Sequence, residues 1–230
     1  MSFRCNRADF RLPTAQLNHM EISLSFFESH VDGAATLTLT AREPLAALEL
    51  DANGIEVLEV SQPGSREPLA HSLDGSRHKL TVTLPQPLAA GETVKIFTRC
   101  RCVPSDALLE GIYRDVTPSG APQQFMSQCQ QWGFQRILPV IDDCTAKCTF
   151  RTTLEGDARY THLISNGDVD RSLNPDGRPV PKPGDPSRQI ITFVNNVPMA
   201  PYLFIACAGT WDVLADEVRY PDGRRIALEY

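Results

Sequence analysis

The sequence predicts an all-β fold, a single antiparallel sandwich or open barrel with little helix. Apolar and polar residues alternate in many short segments, as they do in half-buried strands. Turn-rich linkers separate these segments at intervals of roughly ten residues, a spacing typical of antiparallel sandwiches and barrels. No segment has a long 3.6-residue period, and 18 prolines spread along the chain oppose helix formation.

The first hundred residues are predicted to form strands joined by tight turns. Residues 20–26 and 35–41 each alternate between apolar and polar side chains, and Asp32–Gly33 between them is a hairpin signal. Residues 93–103 also alternate, which places Cys100 and Cys102 inward, where free cysteine behaves as a small apolar residue. Three further strands are predicted at 45–50, 55–60 and 78–84.

The rest of the chain is predicted to continue as short strands. Residues 105–120 lack a period and are expected to form a loop. Residues 137–141 form an apolar run that predicts a buried strand, bent by Pro139, and residues 143–148 are expected to form one helical turn. Six more strands are predicted at 148–154, 161–165, 188–195, 202–208, 211–218 and 225–230.

Composition excludes several function classes. The net charge is −6 and there is no basic run, so we expect no nucleic-acid partner. The apolar stretches are far shorter than a bilayer span, and residues 1–12 have no apolar signal-peptide core, so we expect no membrane partner and a cytoplasmic location. The seven cysteines have no zinc-ribbon spacing and predict reduced structural thiols.

The residues offer no metal centre and no catalytic group. The five histidines are scattered, and none of them belongs to an H-E-x-x-H motif. A catalytic zinc site needs three protein ligands and an open position for water. We therefore predict no catalytic residue, no metal ligand and no cofactor in this chain.

The most unusual stretch runs from Phe125 to Asp142. Polar amides at Gln128 and Gln130 flank Cys129 where the surroundings predict core, and a Trp-Gly-Phe corner follows. A buried polar amide costs free energy unless it is hydrogen-bonded. These glutamines therefore either brace the fold or face a binding site.

This stretch also carries a resemblance to a known family. Its S-Q-C-Q-x-x-G-F is similar to the T-Q-C-E-x-x-G-F of zinc aminopeptidases of the aminopeptidase N family, and S-Q-C-Q itself resembles the leukotriene hydrolase branch. Three further segments resemble motifs of the same enzymes in the same order: ALLEGIY at 107–113, LISNGD at 163–168 and PYLF at 201–204. The resemblance implies one saddle-like β domain over residues 1–230, the N-terminal domain of such an enzyme.

The family resemblance also implies a function. The parent protein is expected to be a zinc aminopeptidase that removes N-terminal residues from peptides, with its zinc in a catalytic domain downstream of residue 230. This chain alone is expected to be inactive. Gln128 is expected to contact the substrate's first side chain or its free amine. Gln130 stands where many members have glutamate, which weakens its hold on that amine. Either the peptide bond from Gln130 to Gln131 is expected to be cis, or the loop from Gln128 to Gly133 is expected to be mobile.

Several alternatives stay open at this point. Gln128 and Gln130 could only tie loop backbone together. Arg136 could pair with Asp142 or Asp143, or brace an interface to the catalytic domain. The chain could also be a scaffold module that keeps the β fold without zinc, whereas a secreted sandwich adhesin would need a signal peptide and disulfides that the sequence does not indicate.

Overall fold

The structure, a computed structural model, describes residues 10–65 and 67–229. Strands account for most of this part of the chain, as predicted. Their bounds are β1 Ala15–Phe26, β2 Val31–Ala41, β3 Leu45–Asp51, β4 Glu56–Ser61, β5 His71–Asp74, β6 Lys79–Leu88, β7 Thr93–Cys102, β8 Gly111–Arg114, β9 Phe125–Gln128, β10 Cys148–Asp157, β11 His162–Ser165, β12 Asp168–Val169, β13 Val180–Lys182, β14 Asp185–Met199, β15 Ala206–Gly209, β16 Ala215–Arg219 and β17 Arg225–Glu229.

Helix is confined to two single 3-10 turns, at Phe134–Arg136 and Pro201–Leu203, within the residues described. This agrees with the predicted all-β class. The described residues hold no helix with the length and apolar surface that crossing a lipid bilayer requires.

The strands form four sheets. The largest has the order β12-β14-β10-β1-β2-β7-β4, with β13 pairing β14 as well. A four-stranded sheet has the order β11-β15-β9-β8, a three-stranded sheet the order β3-β6-β5, and β16 pairs β17. The pairing is antiparallel, as predicted, except that β1 and β10 run parallel in the middle of the largest sheet, from His19 opposite Thr149 to Ser25 opposite Glu155.

The core follows from the alternation in the sequence. Along β2 every second residue is buried, and Leu37 and Leu39 are fully so. In β7 the same alternation buries Cys100 and Cys102, as predicted. A single cluster of buried apolar side chains draws on the eight-, four- and three-stranded sheets together. The residues of β16, in contrast, are all exposed.

Two segments differ from the sequence predictions near the Phe125–Asp142 stretch. The predicted loop at 105–120 contains β8, which pairs with β9. The prediction of a strand at 137–141 is wrong. The five residues are buried, but after the 3-10 turn their backbone is irregular, and of the five only Val140 forms a β-bridge, to Asp51. Pro139 has no amide hydrogen to give to a ladder, which explains why burial here comes without a strand.

Other differences are at strand boundaries. The short strands β5, β12 and β13 were not predicted, and residues 143–148 form a turn in place of a helical turn. The predicted strand at 202–208 begins at Ala206, because Pro201–Leu203 forms a 3-10 turn that Pro201 starts. The predicted strand at 211–218 begins at Ala215. Tyr230, the end of the last predicted strand, lies outside the described residues.

Candidate functional site

The hairpin of β8 and β9 brings two of the sequence motifs side by side. Gly111 of the 107–113 segment pairs with Gln128, and the register continues to Arg114 opposite Phe125. Cys129 and the turn that leads to Gly133 follow β9 directly. We refer to residues 129–133 as the amide loop. The motif residues therefore meet at one end of the four-stranded sheet.

The amide loop is fixed by a close backbone approach at Gly133. The Gly133 amide donates to the Cys129 carbonyl at 2.8 Å. A Cβ atom on Gly133 would lie 2.2 Å from the Gln128 carbonyl oxygen, so only glycine fits there. Gly111 packs against the same place with a φ of +71°, and a Cβ atom on it would lie 2.7 Å from Cβ of Arg136.

The side chains of Gln128, Gln130 and Trp132 are exposed, and 62% of Trp132 is open to solvent. Gln128 accepts a hydrogen bond from the Gln130 amide through Oε1, at 3.3 Å. The Gln130 side chain has no hydrogen-bond partner among the described residues, so its amide oxygen is open to a ligand. The Gln130–Gln131 peptide bond is cis, as the resemblance implied.

Arg136 has a different partner from the two that the sequence suggested. Its Nε lies 2.9 Å from Oε2 of Glu110, and both side chains are partly exposed. Asp142 bonds elsewhere, and Asp143 caps the turn at Thr145 with a bond of 2.7 Å to the Thr145 amide. The ion pair therefore ties the ALLEGIY segment to the residues that follow the amide loop.

The two remaining motifs brace the sheet behind the loop. Asn166 accepts from the Ile205 amide at 2.7 Å and donates to the Leu203 carbonyl at 3.1 Å. The ring of Phe204 meets that of Phe134 edge to face, with centroids 4.9 Å apart. All four sequence motifs thus pack around one site, and these two act structurally.

Asp142 lies behind the amide loop and is buried. Its Oδ2 accepts from the Gln135 amide at 3.1 Å, and its own amide donates to Oδ2 of Asp51 at 3.0 Å. Lys79 holds the other oxygen of Asp51 at 2.7 Å. Burial raises the pKa of Asp142 to about 7, and the carboxylates of Asp51 and Asp143 act in the same direction.

Two clefts open beside Trp132. The larger, of about 520 Å³, reaches down to Asp51, Lys79 and Asp142. The smaller, of about 460 Å³, is lined by Glu110 and residues of the amide loop. Trp132 lines both clefts, together with His78 and Gln135.

The described residues do not form a zinc site. They hold no group of three or more histidine, cysteine, aspartate or glutamate side chains close enough to bind a metal ion. Cys129 in the amide loop is buried, and burial raises the pKa of its thiol, so it stays protonated. Its role in the site is packing.

Comparison with known families decides which family this arrangement represents. The sequence profile described as the Peptidase M1 N-terminal domain matches residues 15–203, which is most of the chain. The chain belongs to this family. The match includes the β8–β9 hairpin, the amide loop and Asn166, and it ends one residue before Phe204.

Full-length relatives of this M1 N-terminal domain are aminopeptidases and a leukotriene hydrolase. The chain is 30% identical to aminopeptidase N of Caulobacter vibrioides over 177 residues, which is 72% of this chain and 19% of that protein. It is 25% identical to leukotriene A-4 hydrolase of Xenopus laevis, over 83% of this chain and 30% of that protein. The chain thus spans less than a third of the length of these relatives.

Solved structures share the fold. An M1 zinc metallopeptidase from Deinococcus radiodurans superposes with a TM-score of 0.75 and 20% identity, over 94% of this chain and 47% of that one. Aminopeptidase A of Legionella pneumophila, in complex with aspartic acid, gives a TM-score of 0.78 and 18% identity, over 96% of this chain and 24% of that one. The all-β fold is therefore shared with both.

Sequence reasoning did not find the group formed by Asp142, Asp51 and Lys79. A signal was present, because Asp142 directly follows a long buried apolar run, where a carboxylate needs a partner. The identity of that partner depends on a contact across 91 residues of sequence, between Asp142 and Asp51. Local patterns do not report such contacts.

Proposed function

We propose that residues 1–230 are the N-terminal β domain of a zinc-dependent aminopeptidase that removes N-terminal residues from peptides. The domain supplies the part of the active site that meets the substrate's free amine and first side chain. The zinc and its ligands belong to a catalytic domain downstream of residue 230, since the described residues offer no set of ligands for it. The parent is a cytoplasmic enzyme that acts on peptides rather than on nucleic acids or membranes.

One observation carries this proposal: Gln130 has an unbonded side-chain amide oxygen on a loop that the bond from the Gly133 amide to the Cys129 carbonyl closes. An ammonium group that leaves water must meet oxygen atoms, or its desolvation is not offset. The Gln130 oxygen is available for that role, because the side chain has no hydrogen-bond partner within residues 10–65 and 67–229. Family membership supports the same assignment.

The two glutamines have different parts in the proposal. Gln128 accepts from the Gln130 amide through its side-chain oxygen, so it orients the start of the loop. Gln130 presents the acceptor. A bond from the ammonium to a neutral amide lacks the ion-pair attraction that a carboxylate adds, so this domain holds the amine less firmly than a glutamate-bearing relative.

A solved relative supports peptide as the substrate class. A mutant of the Deinococcus radiodurans metallopeptidase has been crystallised bound to a Tyr-Ser-Ala substrate. In the present chain the exposed ring of Trp132 and the two clefts beside it give side chains of such a peptide surfaces to contact.

The experiment is to express the complete protein and the 230-residue chain, and to assay both with aminoacyl reporter substrates and N-acetylated versions of them. We expect the complete protein to contain one zinc per chain and to cleave only the substrates with a free amine. The 230-residue chain should show neither property. A complete protein without zinc and without activity would favour the scaffold module instead.

A further inference from the structure

We propose that Asp142 is the positioning residue for the amide loop, acting through the Gln135 amide. This inference deepens the proposed function, on which its consequence for substrate rests. Asp142 does not face the exposed side of the loop; it is buried, with 6% of its surface accessible. Its influence on substrate is therefore transmitted through the backbone.

Asp142 bonds to the start of the 3-10 turn at Phe134–Arg136. The turn begins at Gly133, the last residue of the amide loop, and has no side-chain cap from Gly133 itself. Its second amide, that of Gln135, donates to Oδ2 of Asp142 at 3.1 Å. A carboxylate on the free amides of a helical turn fixes where that turn starts.

Hydrogen bonds hold the 3-10 turn from both sides. While Asp142 accepts from the Gln135 amide, the Gln135 carbonyl accepts from the Asn53 amide at 2.9 Å. The Gly133 amide meanwhile bonds back to Cys129 across the loop. The backbone between Gln130 and Gln135 therefore has fixed points at each end.

Asp142 is itself hydrogen-bonded to the three-stranded sheet. Its amide donates to Asp51 at the end of β3, and Asp51 and Val140 exchange both backbone bonds, at 2.6 and 3.1 Å. Lys79 on β6 neutralises Asp51. The three-stranded sheet thus serves as the support on which Asp142 holds the loop.

Other charged groups face the same cleft and define the setting of Asp142. The nearest are the carboxylates of Asp51 and Asp143, and the cleft is also lined by Glu49, Arg77, His78, Lys79 and Arg11. Lys79 bridges Glu49 and Asp51, and Arg77 pairs with Glu49. The Gln135 amide donates to the Asp142 carboxylate, so the resonance of this amide reports directly whether Asp142 is protonated.

The test follows the Gln135 amide by nuclear magnetic resonance in the 230-residue chain while pH is varied. In the unmodified chain we expect the Gln135 amide to titrate with a midpoint near neutral pH, and the Gln130 resonances to follow the same midpoint. In Asp142→Asn both responses should vanish, while Asp143→Asn, a neighbouring carboxylate, should keep them. A Gln135 titration that survives in Asp142→Asn, or Gln130 resonances that ignore it, would overturn the proposal.

A kinetic arm uses the complete protein. Asp142→Ala removes the acceptor and should raise the KM for peptides about five- to ten-fold, whereas Asp142→Asn, which keeps an acceptor oxygen, should restore it to within about two-fold. Equal KM values for all three proteins would contradict the proposal. If the complete protein does not cleave peptides, the proposed function fails, and the resonance titration still decides whether Asp142 positions the loop.

Discussion

Nε of Arg136 lies 2.9 Å from Oε2 of Glu110, and this contact links two motifs that are 26 residues apart in the chain. Both side chains are partly exposed, at 30% and 47%, so solvent screens their attraction. The ion pair serves mainly to fix the ALLEGIY segment against the residues after the amide loop.

We expect this pair to contribute modestly to stability. A double-mutant cycle with Glu110→Gln and Arg136→Gln should give a coupling energy of about 0.5–1 kcal/mol in the free energy of unfolding. The coupling should decrease as salt is added, because salt screens exposed charges. A coupling above about 3 kcal/mol would show that the pair is far better shielded than its exposure indicates.

Replacement of Gly133 by alanine should damage the fold. The added Cβ would lie 2.2 Å from the Gln128 carbonyl oxygen and 2.9 Å from Cα of Cys129, and both are backbone atoms that cannot rotate away. We expect a loss of about 3 kcal/mol or more in the free energy of unfolding, measured by urea denaturation. The matched control is Gly75→Ala, since a Cβ there meets nothing within 4 Å; it should change stability by less than about 0.5 kcal/mol. Equal losses of stability for Gly133→Ala and Gly75→Ala would show that a Cβ atom can be accommodated at position 133.

A charge at position 130 should strengthen binding of the substrate's amine. Gln130→Glu converts a neutral acceptor into a charged one, a gain of about 1 kcal/mol, so KM for peptides with a free N-terminus should fall about five-fold in the complete protein. Gln130→Ala should raise KM by a similar factor. Gln131→Glu adds the same charge one residue away and controls for long-range attraction. If both glutamate variants lower KM equally, Gln130 does not contact the amine.

The free energy of unfolding should depend on pH through Asp142. Burial raises the pKa of Asp142 to about 7 from its ordinary 3.8, so between those values the folded chain keeps a proton that the unfolded chain has released. The contribution of Asp142 to the free energy of unfolding therefore falls as pH rises from about 4 to about 7. The slope is at most about 1.4 kcal/mol per pH unit, and the contribution is constant above that range.

The variant Asp142→Asn has no such group to titrate. Urea denaturation across this pH range should show Asp142→Asn gaining stability relative to the unmodified chain as pH rises, with the difference level above neutral pH. Asp143→Asn keeps the Asp142 carboxyl group, so its stability should still fall as pH rises from about 4 towards neutral. Parallel pH profiles for the unmodified chain and Asp142→Asn would contradict the assignment.

Much of the β architecture could be predicted from the sequence because alternation reports burial directly. The inward positions of β2 and β7, including Cys100 and Cys102, follow from the period of two. The buried run at 137–141 shows the limit of this reasoning. Its five apolar residues predict burial correctly, but burial does not state whether a backbone pairs with another strand, and Pro139 prevents that pairing.

For the site, the sequence predicted which residues take part but not which contacts they make. The motif resemblance indicated Gln128 and Gln130, and both are exposed, Gln128 at the end of β9 and Gln130 in the amide loop. The sequence did not indicate that Gln128 would bond to the Gln130 amide, or that Arg136 would choose Glu110 over the nearby Asp142 and Asp143. These contacts depend on the pairing of β8 with β9. Residues 105–120 have no clear period, so the sequence did not predict that pairing.

The parallel pairing of β1 with β10 has a consequence for the chain as it leaves the ribosome. His19 bonds through its ring to Thr149, a residue made 130 positions later. At typical synthesis rates that interval lasts roughly 7 to 26 seconds. During this time β1 can pair with β2 but has an open edge, which any other nascent strand could join. The centre of the largest sheet is thus completed late, and chaperone binding to the first half of the nascent chain would be most useful in that interval.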